Sequence, residues 1–502
     1  MHNALKEIKD FKKMTIKEEE NAKYLNGGKD FIDDPEISRL LKVRRDIEPG
    51  EVRDIIRKSR DIQSLELSEA AALLNVEDKG LWEEIFDAAA RIKRKVYDNR
   101  VVTFAPLYCS SLCVNNCAYC GFRGENQVIE RRTLSISEVR KEAEVLAGKL
   151  GHKRLVVVFG EHPSSGADYI CEVMREIYDV KIKTRRGFGA IRRVNVNAAP
   201  MSIADYKKVK AAGIGTFQVF QETYHRRTYG NVHPANTIKG DFGWRLYSLH
   251  RAMEAGIDDV AIGALFGLYA WRFEVLGLLA HARDLEKYFG IGPHTVSFPR
   301  LEPAANTPFI NKTEHAVKDD DFKKLVAVLR LAIPYAGMIV TCREPPRMMG
   351  EVIAMCTQRD ASSKVGIGAY SERGDNQEEN IQQFILGDSR SLDEVIRDLA
   401  ARGYITSFCT AGYRCGRTGD NIMSMLKTGR EGCLCKLNAV LTFQEWLDDF
   451  GSDQTRKIGE GLIDREIAQI KARVPADFSA EMFRAFSEYH SRIRAGERDL
   501  CF

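Results

Sequence analysis

The sequence predicts an α/β protein built on a parallel (β/α)8 TIM barrel, with a helical extension before the barrel and a mostly helical section after it. Three observations lead there. Eight short β-rich runs alternate with amphipathic segments, the trace that eight strand–helix units leave in a chain. The region ahead of the first run carries helical spacing. The reactive residues that stand out fall at or just after the ends of the runs, where a barrel gathers its active site.

Residues 1–98 form the extension, in which Leu81, Ile85, Ala88, Ile92 and Val96 recur at helical spacing. Residues 99–375 hold the runs: VVTFAPLY from Val101, RLVVVFG from Arg154, RVNVNAA from Arg193, TFQVFQ from Thr216, DVAIGALFG from Asp259, HTVSFPR from His294, MIVTCRE from Met338 and KVGIGAY from Lys364. Helical candidates lie between them. One opens at the capping box Ser135 to Glu138, and others cover Met201 to Ala212, Trp244 to Ala255 and Phe273 to Tyr288. Periodicity does not separate a closed barrel from an open doubly wound sheet; the count of eight favours the barrel. Residues 376–502 follow the polar stretch GDNQEENIQQ and regain helix signals in the capping boxes Ser391 to Glu394 and Thr442 to Glu445. They are expected to form a C-terminal domain over the barrel mouth.

With 75 Lys and Arg against 71 Asp and Glu, the net charge is +4, too balanced for an electrostatic nucleic-acid footprint. The first twenty residues interleave charges with no apolar core, so no secretory signal is legible. The longest apolar stretch, Val260 to Trp271, is too short to span a bilayer. A cytoplasmic protein with a small-molecule or protein partner, no nucleic acid and no membrane is expected.

The 12 cysteines gather mainly into two groups, Cys109, Cys113, Cys117, Cys120 and Cys409, Cys415, Cys433, Cys435, a pattern that favours metal over disulfides. Cys171, Cys342, Cys356 and Cys501 stand alone and read as small hydrophobes or surface thiols. Cys113, Cys117 and Cys120 form CxxxCxxC in a loop. Three thiolates hold three corners of a 4Fe–4S cubane, whereas an electron-transfer cluster takes four. The open iron can chelate the amino and carboxylate groups of S-adenosylmethionine (SAM). Cys109 is a fourth donor at the strand end, and a zinc knuckle is the weaker alternative because no second pair lies near. Gly160 and Glu161 end the next run, where a carboxylate suits the SAM ammonium and a glycine permits close backbone approach.

Long segments carry a resemblance: CVNNCAYCGF, FGEHP at Phe159, VNVNAAP at Val194, AGIGTFQVFQETYHRRTYG at Ala212, AMEAGIDDVAIGALFGLY at Ala252, FEVLGLLAHA at Phe273 and GPHTVSFPRLEPA at Gly292. From Val101 into the C-terminal region the chain resembles the aromatic-amino-acid lyase branch of the radical SAM superfamily. It is most similar to the FeFe-hydrogenase maturase group, with the thiazole-forming tyrosine lyases as nearer kin than the biotin synthases. The resemblance implies a complete barrel, a SAM-binding 4Fe–4S cluster and SAM as cosubstrate. It implies cleavage of L-tyrosine between its α and β carbons to p-cresol and dehydroglycine, and conversion of dehydroglycine to carbon monoxide and cyanide on an auxiliary iron–sulfur cluster, for assembly of the hydrogenase H-cluster. Reduced ferredoxin or flavodoxin would supply the electron, and other hydrogenase maturation proteins are implied partners.

By the same resemblance, Cys113, Cys117 and Cys120 hold the first cluster, and Gly160, Glu161, Asn197, Glu222 and Tyr119 lie toward SAM. Ser297 and Arg300 belong to the SxPR segment, where arginine holds the substrate carboxylate, and His281 binds an extra iron of the second cluster. The group's second cluster uses CxxC and a later cysteine; Cys409 and Cys435 take the outer positions, and Gly412 stands in the middle. Cys415 and Cys433 lie nearby. Ligation by Cys409, Cys415 and Cys435 leaves one iron open, and the addition of Cys433 closes the cluster. Glu302 stands where the group has arginine. Two other readings are a lyase that releases 2-iminoacetate or takes another amino acid, and a non-catalytic iron–sulfur carrier or zinc-stabilised scaffold.

Overall fold

The structure is a computed structural model that describes residues 2–45, 47–373, 382–416, 419, 421–422, 425, 431–474 and 476–502. Eight parallel strands close a barrel: β1 (Arg100–Ser110), β2 (Arg154–Phe159), β3 (Arg193–Asn197), β4 (Phe217–Gln218), β5 (Val260–Gly263), β6 (Thr295–Ser297), β7 (Gly337–Val340) and β8 (Gln358–Asp360). Each pairs with its neighbour, and β8 returns to β1 with Val102 opposite Gln358. β9 (Ile405–Ser407) adds to the outside, pairing with Arg100 to Val102 at the amino end of β1. All eleven residues of β1 are buried, which fits a near-continuous apolar run covered on both faces.

Seven barrel strands coincide with the β-rich runs; the eighth does not. It is Gln-Arg-Asp at 358–360 rather than the stretch from Lys364 to Tyr370. Its polar side chains escape a reading by hydrophobicity because partners inside the fold satisfy them. Arg359 pairs with Asp388 at 3.1 Å, and Asp360 accepts bonds from the Cys342 N–H at 2.7 Å and from Ser363 at 2.6 Å. The stretch from Lys364 to Tyr370 lies against β1 instead, with Ile367 bridged to Tyr108 and the Tyr370 hydroxyl donating to the Pro106 carbonyl at 2.8 Å.

The helices are set by caps and apolar stripes. Ser135 and Glu138 make the reciprocal box that opens Ile136–Gly148, and Ser391 and Glu394 do the same for Leu392–Ala401. Asp78 caps Lys79–Tyr97, whose Leu81, Ile85, Ala88, Ile92 and Val96 are all buried. The segment from Trp244 to Ala255 is two short helices, Phe242–Leu246 and Ser248–Glu254, broken at Tyr247. Thr442 caps nothing: it lies inside Glu431–Asp449 and donates to Asn438 O at 2.6 Å. Glu445 is buried between Lys153 and Arg192.

Those two partners lie just ahead of β2 and β3, and β9 joins the first residues of β1. The C-terminal helices therefore cover the amino end of the barrel, not the carboxyl mouth. The boundary expected at residues 375 and 376 lies outside the described residues. Among the described residues no helix is long and apolar enough to cross a membrane.

Candidate active site at the carboxyl end of the barrel

β1 leads into the cysteine loop, which folds back on itself. Gly124 N–H donates to Asn115 O at 2.7 Å, Ser111 N–H to Arg132 O at 3.0 Å, and Val114 N–H to Glu161 O at 2.8 Å. The last bond ties the loop to the end of β2. Gly160 is required there, because a Cβ would collide with the Leu112 carbonyl oxygen.

Cys113, Cys117 and Cys120 line a cavity of about 250 Å³ together with Tyr119, Gly160, Glu161, Asn197, Glu222 and Ser297. The first three strands, β4 and β6 thus deliver their predicted groups to one place. Burial pushes the Cys113 thiol up, and pushes Cys117 to about 12 against the opposing charge of Lys239. Iron must therefore displace protons to bind. Asn115 and Gln383 lie 3.7 and 3.6 Å from the sulfurs of Cys113 and Cys120.

Glu161 accepts from Asn115 Nδ2 at 2.5 Å through one oxygen, while Oε1 is buried without a partner among the described residues. Burial raises its pKa, against the pull of Arg245, Asn115 and Lys239. Glu222 differs. Burial opposes its charge, but Lys239 at 2.7 Å and Arg245 at 3.4 Å outweigh burial and hold its pKa below the ordinary carboxylate value. Its backbone is left-handed, φ +70°, a cost tolerated where side-chain direction matters. Tyr119 hydrogen-bonds His233 Nε2 at 2.8 Å, and Lys239 Nζ stands 5.5 Å from the Tyr119 ring.

Arg300 does not line the cavity. Glu344 takes its guanidinium at 2.8 Å, Asp319 and Val317 O at 2.9 Å, and the Phe322 ring lies beneath it. Arg343, just after β7, lines the cavity instead. It stacks 3.5 Å over Phe384, and its fork meets the backbone oxygen of Arg300 at 3.4 Å rather than a carboxylate. Its sequence signal was its place at the end of MIVTCRE. Lys239 and Arg245 also enter unannounced, from a loop and a short helix after β4 that carry no strand-end signal.

The second cysteine group is elsewhere. Cys409, with φ +48°, follows β9 at the amino end of the barrel, and its thiol faces Arg154. Cys415 is exposed, Cys435 is buried, and the Cys433 side chain lies outside the described residues. His281 is buried on Trp271–Phe289 and bonds the Tyr224 hydroxyl at 2.9 Å, with Phe31 and His250 as ring neighbours. The structure therefore places it in an aromatic cluster on the barrel's outer side, because the helix face that carries it is an apolar packing face.

Among the described residues no three His, Cys, Asp or Glu groups close on a single ion. A cluster spreads its thiolates over different irons, so the three-thiol loop with the open oxygen of Glu161 fits a 4Fe–4S cluster and a SAM ammonium.

The Radical SAM superfamily model matches residues 107–270, and the Biotin and Thiamin Synthesis associated domain matches residues 297–405. A 2-iminoacetate synthase of Salmonella typhimurium is 30% identical over 357 residues, 70% of this chain and 89% of its own length. A crystal structure of HydG, a maturase of the FeFe-hydrogenase, superposes with a TM-score of 0.87 at 46% identity, covering 94% of this chain and 100% of that one. HydG from Carboxydothermus hydrogenoformans gives 0.74 at 35% identity, over 91% and 98%.

Proposed function

The chain belongs to the radical SAM superfamily, in the branch of the HydG maturases and 2-iminoacetate synthases, and on that premise we propose that this lyase cleaves L-tyrosine to p-cresol and dehydroglycine. The observation that supports the reading is one cavity in which a three-cysteine loop, a carboxylate with an open oxygen and an arginine fork face each other. When bound on Cys113, Cys117 and Cys120, the 4Fe–4S cluster with SAM supplies a 5′-deoxyadenosyl radical after one-electron reduction by ferredoxin or flavodoxin.

The chain's own residues do the rest. Glu161 Oε1 takes the SAM ammonium. Glu222, fixed by Lys239 and Arg245, stays ionised as an acceptor for SAM hydroxyls, and Asn197 and Tyr119 flank it. Arg343 holds the amino-acid carboxylate with its planar fork, and Ser297, at the end of the neighbouring strand β6, lines the same cavity. Phe104, Val156, Val158 and Ile339 line the deeper wall, which takes an aromatic ring and excludes water.

The proposal extends to dehydroglycine breakdown into carbon monoxide and cyanide at a second cluster, for hydrogenase maturation. Gly412, at the middle motif position, favours the narrower reading that the reaction stops at the imine. Anaerobic incubation of iron-reconstituted protein with SAM, dithionite and tyrosine separates the two. p-Cresol with cyanide and carbon monoxide supports the full sequence; p-cresol with only the imine's hydrolysis product, glyoxylate, supports the narrower one.

A further inference from the structure

Cys501, with no motif around it, is carried to the second cysteine group by a segment tied down on both sides. Arg498 is buried on Asp449 at 2.6 and 2.9 Å, and the Asp499 N–H donates to Glu445 at 3.1 Å. Phe502 closes on the helix Glu431–Asp449: its N–H donates to Asn438 Oδ1 at 2.8 Å, Asn438 Nδ2 donates to its backbone oxygen at 3.1 Å, and Tyr489 packs on its ring. Between these anchors the Cys501 sulfur lies 3.7 Å from Arg414 Nη2, and the Cys415 sulfur lies 3.6 Å from the Phe502 oxygen. The two thiols also meet each other. Cys435 is three residues ahead of Asn438 on the same helix, one turn from the bond to Phe502.

Two thiols thus meet beside the Arg414 guanidinium, which Asp499 orients at 2.6 Å and which opposes the upward push of burial on the Cys501 thiol, while Cys435 stands on the helix that Phe502 is bonded to. Soft donors of this kind select iron–sulfur centres, zinc or cuprous ions. Gly412 offers no donor.

We infer that Cys501 is a thiolate ligand of the second iron–sulfur centre, completing with Cys415 and Cys435 a set that Gly412 leaves short. The inference rests on the proposed presence of that centre. Three cysteines leave one iron of a cubane open, so the set is suited to hold a further ligand as well as electrons.

The test uses the chain with Cys113, Cys117 and Cys120 all changed to alanine, so that iron bound after anaerobic reconstitution with ferrous iron and sulfide reports the second centre alone. Bound iron and sulfide and the EPR spectrum of the dithionite-reduced protein are compared with and without a change at Cys501. The expected result is a loaded parent, at least a twofold loss of iron in Cys501→Ala, and shifted g values in Cys501→Ser at an unchanged melting temperature. A loaded parent whose iron and spectrum ignore both substitutions overturns the inference and leaves the second centre standing. A Cys415–Cys501 disulfide in the loaded parent, seen by mass spectrometry, also overturns it. A parent that binds no iron overturns the inference and the second centre together.

Discussion

Arg300 and Arg343 follow neighbouring strands, and their opposite fates turn on which carboxylates lie within reach. Glu344 and Asp319 take the Arg300 guanidinium outside the cavity, so the fork left to meet a substrate carboxylate is that of Arg343. Arg343→Lys loses the bidentate geometry, and a charge-assisted pair is worth about 1.5–3 kcal/mol. KM for tyrosine should then rise about 10–100-fold by that measure, while Arg300→Lys should leave KM within about twofold; steady-state formation of p-cresol reads both. Glu302 adds a pH dependence. Burial raises its pKa to about 7, Arg343 opposes the shift, and Glu344 adds to it. Below pH 7 its carboxyl is neutral; above, it ionises near Arg343 and competes with the substrate carboxylate. KM for tyrosine is expected to climb as pH rises through 7, and Glu302→Gln should flatten that climb. In the sequence, Arg300 stood out as a strand-end arginine suited to a carboxylate. Which of two arginines faces inward was not, because that depends on acidic residues brought near only by folding.

At the scale of single elements, buried charge sets how stability varies with pH. Glu445 joins Glu431–Asp449 to the barrel through Lys153 and Arg192. Burial opposes its ionisation, yet the two cations win and hold its pKa at about 2. Between that value and the ordinary carboxylate range the unfolded chain binds a proton that the folded chain does not, so stability present above this range is lost as pH falls through it. Glu445→Ala leaves the buried Lys153 without its pair and Arg192 with Asp499 alone, and should cost about 3–5 kcal/mol in urea unfolding at pH 7, and the acid slope should disappear with it. Glu274, in the first turn of Trp271–Phe289, behaves oppositely. Burial raises its pKa to about 8, against bonds from Thr223 and the Tyr224 N–H. The folded chain keeps a proton that the unfolded chain releases, so stability falls as pH rises toward 8, at up to about 1.4 kcal/mol per pH unit. Glu274→Gln should remove that slope in the same assay. Caps such as Ser135 with Glu138 were legible because both partners lie within one turn. Thr442 with Glu445 has the same spelling, and Lys153, 292 residues away, gives Glu445 another use.

At the scale of the molecule, alternation of apolar runs with helices exposed seven of the eight barrel strands and the rim on which chemical groups gather. It could not expose β8, whose Arg359 and Asp360 are made tolerable by Asp388, Ser363 and the Cys342 N–H. Nor could it show that the C-terminal helices cover the amino end, since β9 and Glu445 find their partners only after the barrel closes. Cys113, Cys117 and Cys120 stood out in the sequence because the three share one short loop. The approach of Cys501 to Cys415 was not legible, since it depends on the anchors at Arg498 and Phe502.

The most direct measurement is a single anaerobic incubation of cluster-reconstituted protein with SAM, dithionite and tyrosine, quantifying 5′-deoxyadenosine and p-cresol together. A lyase that binds tyrosine in the cavity at the carboxyl end of the barrel yields both in about equal amounts and depends on tyrosine for them. Deoxyadenosine without p-cresol contradicts tyrosine as the substrate, and no SAM cleavage by cluster-loaded protein contradicts the cavity as a radical SAM site.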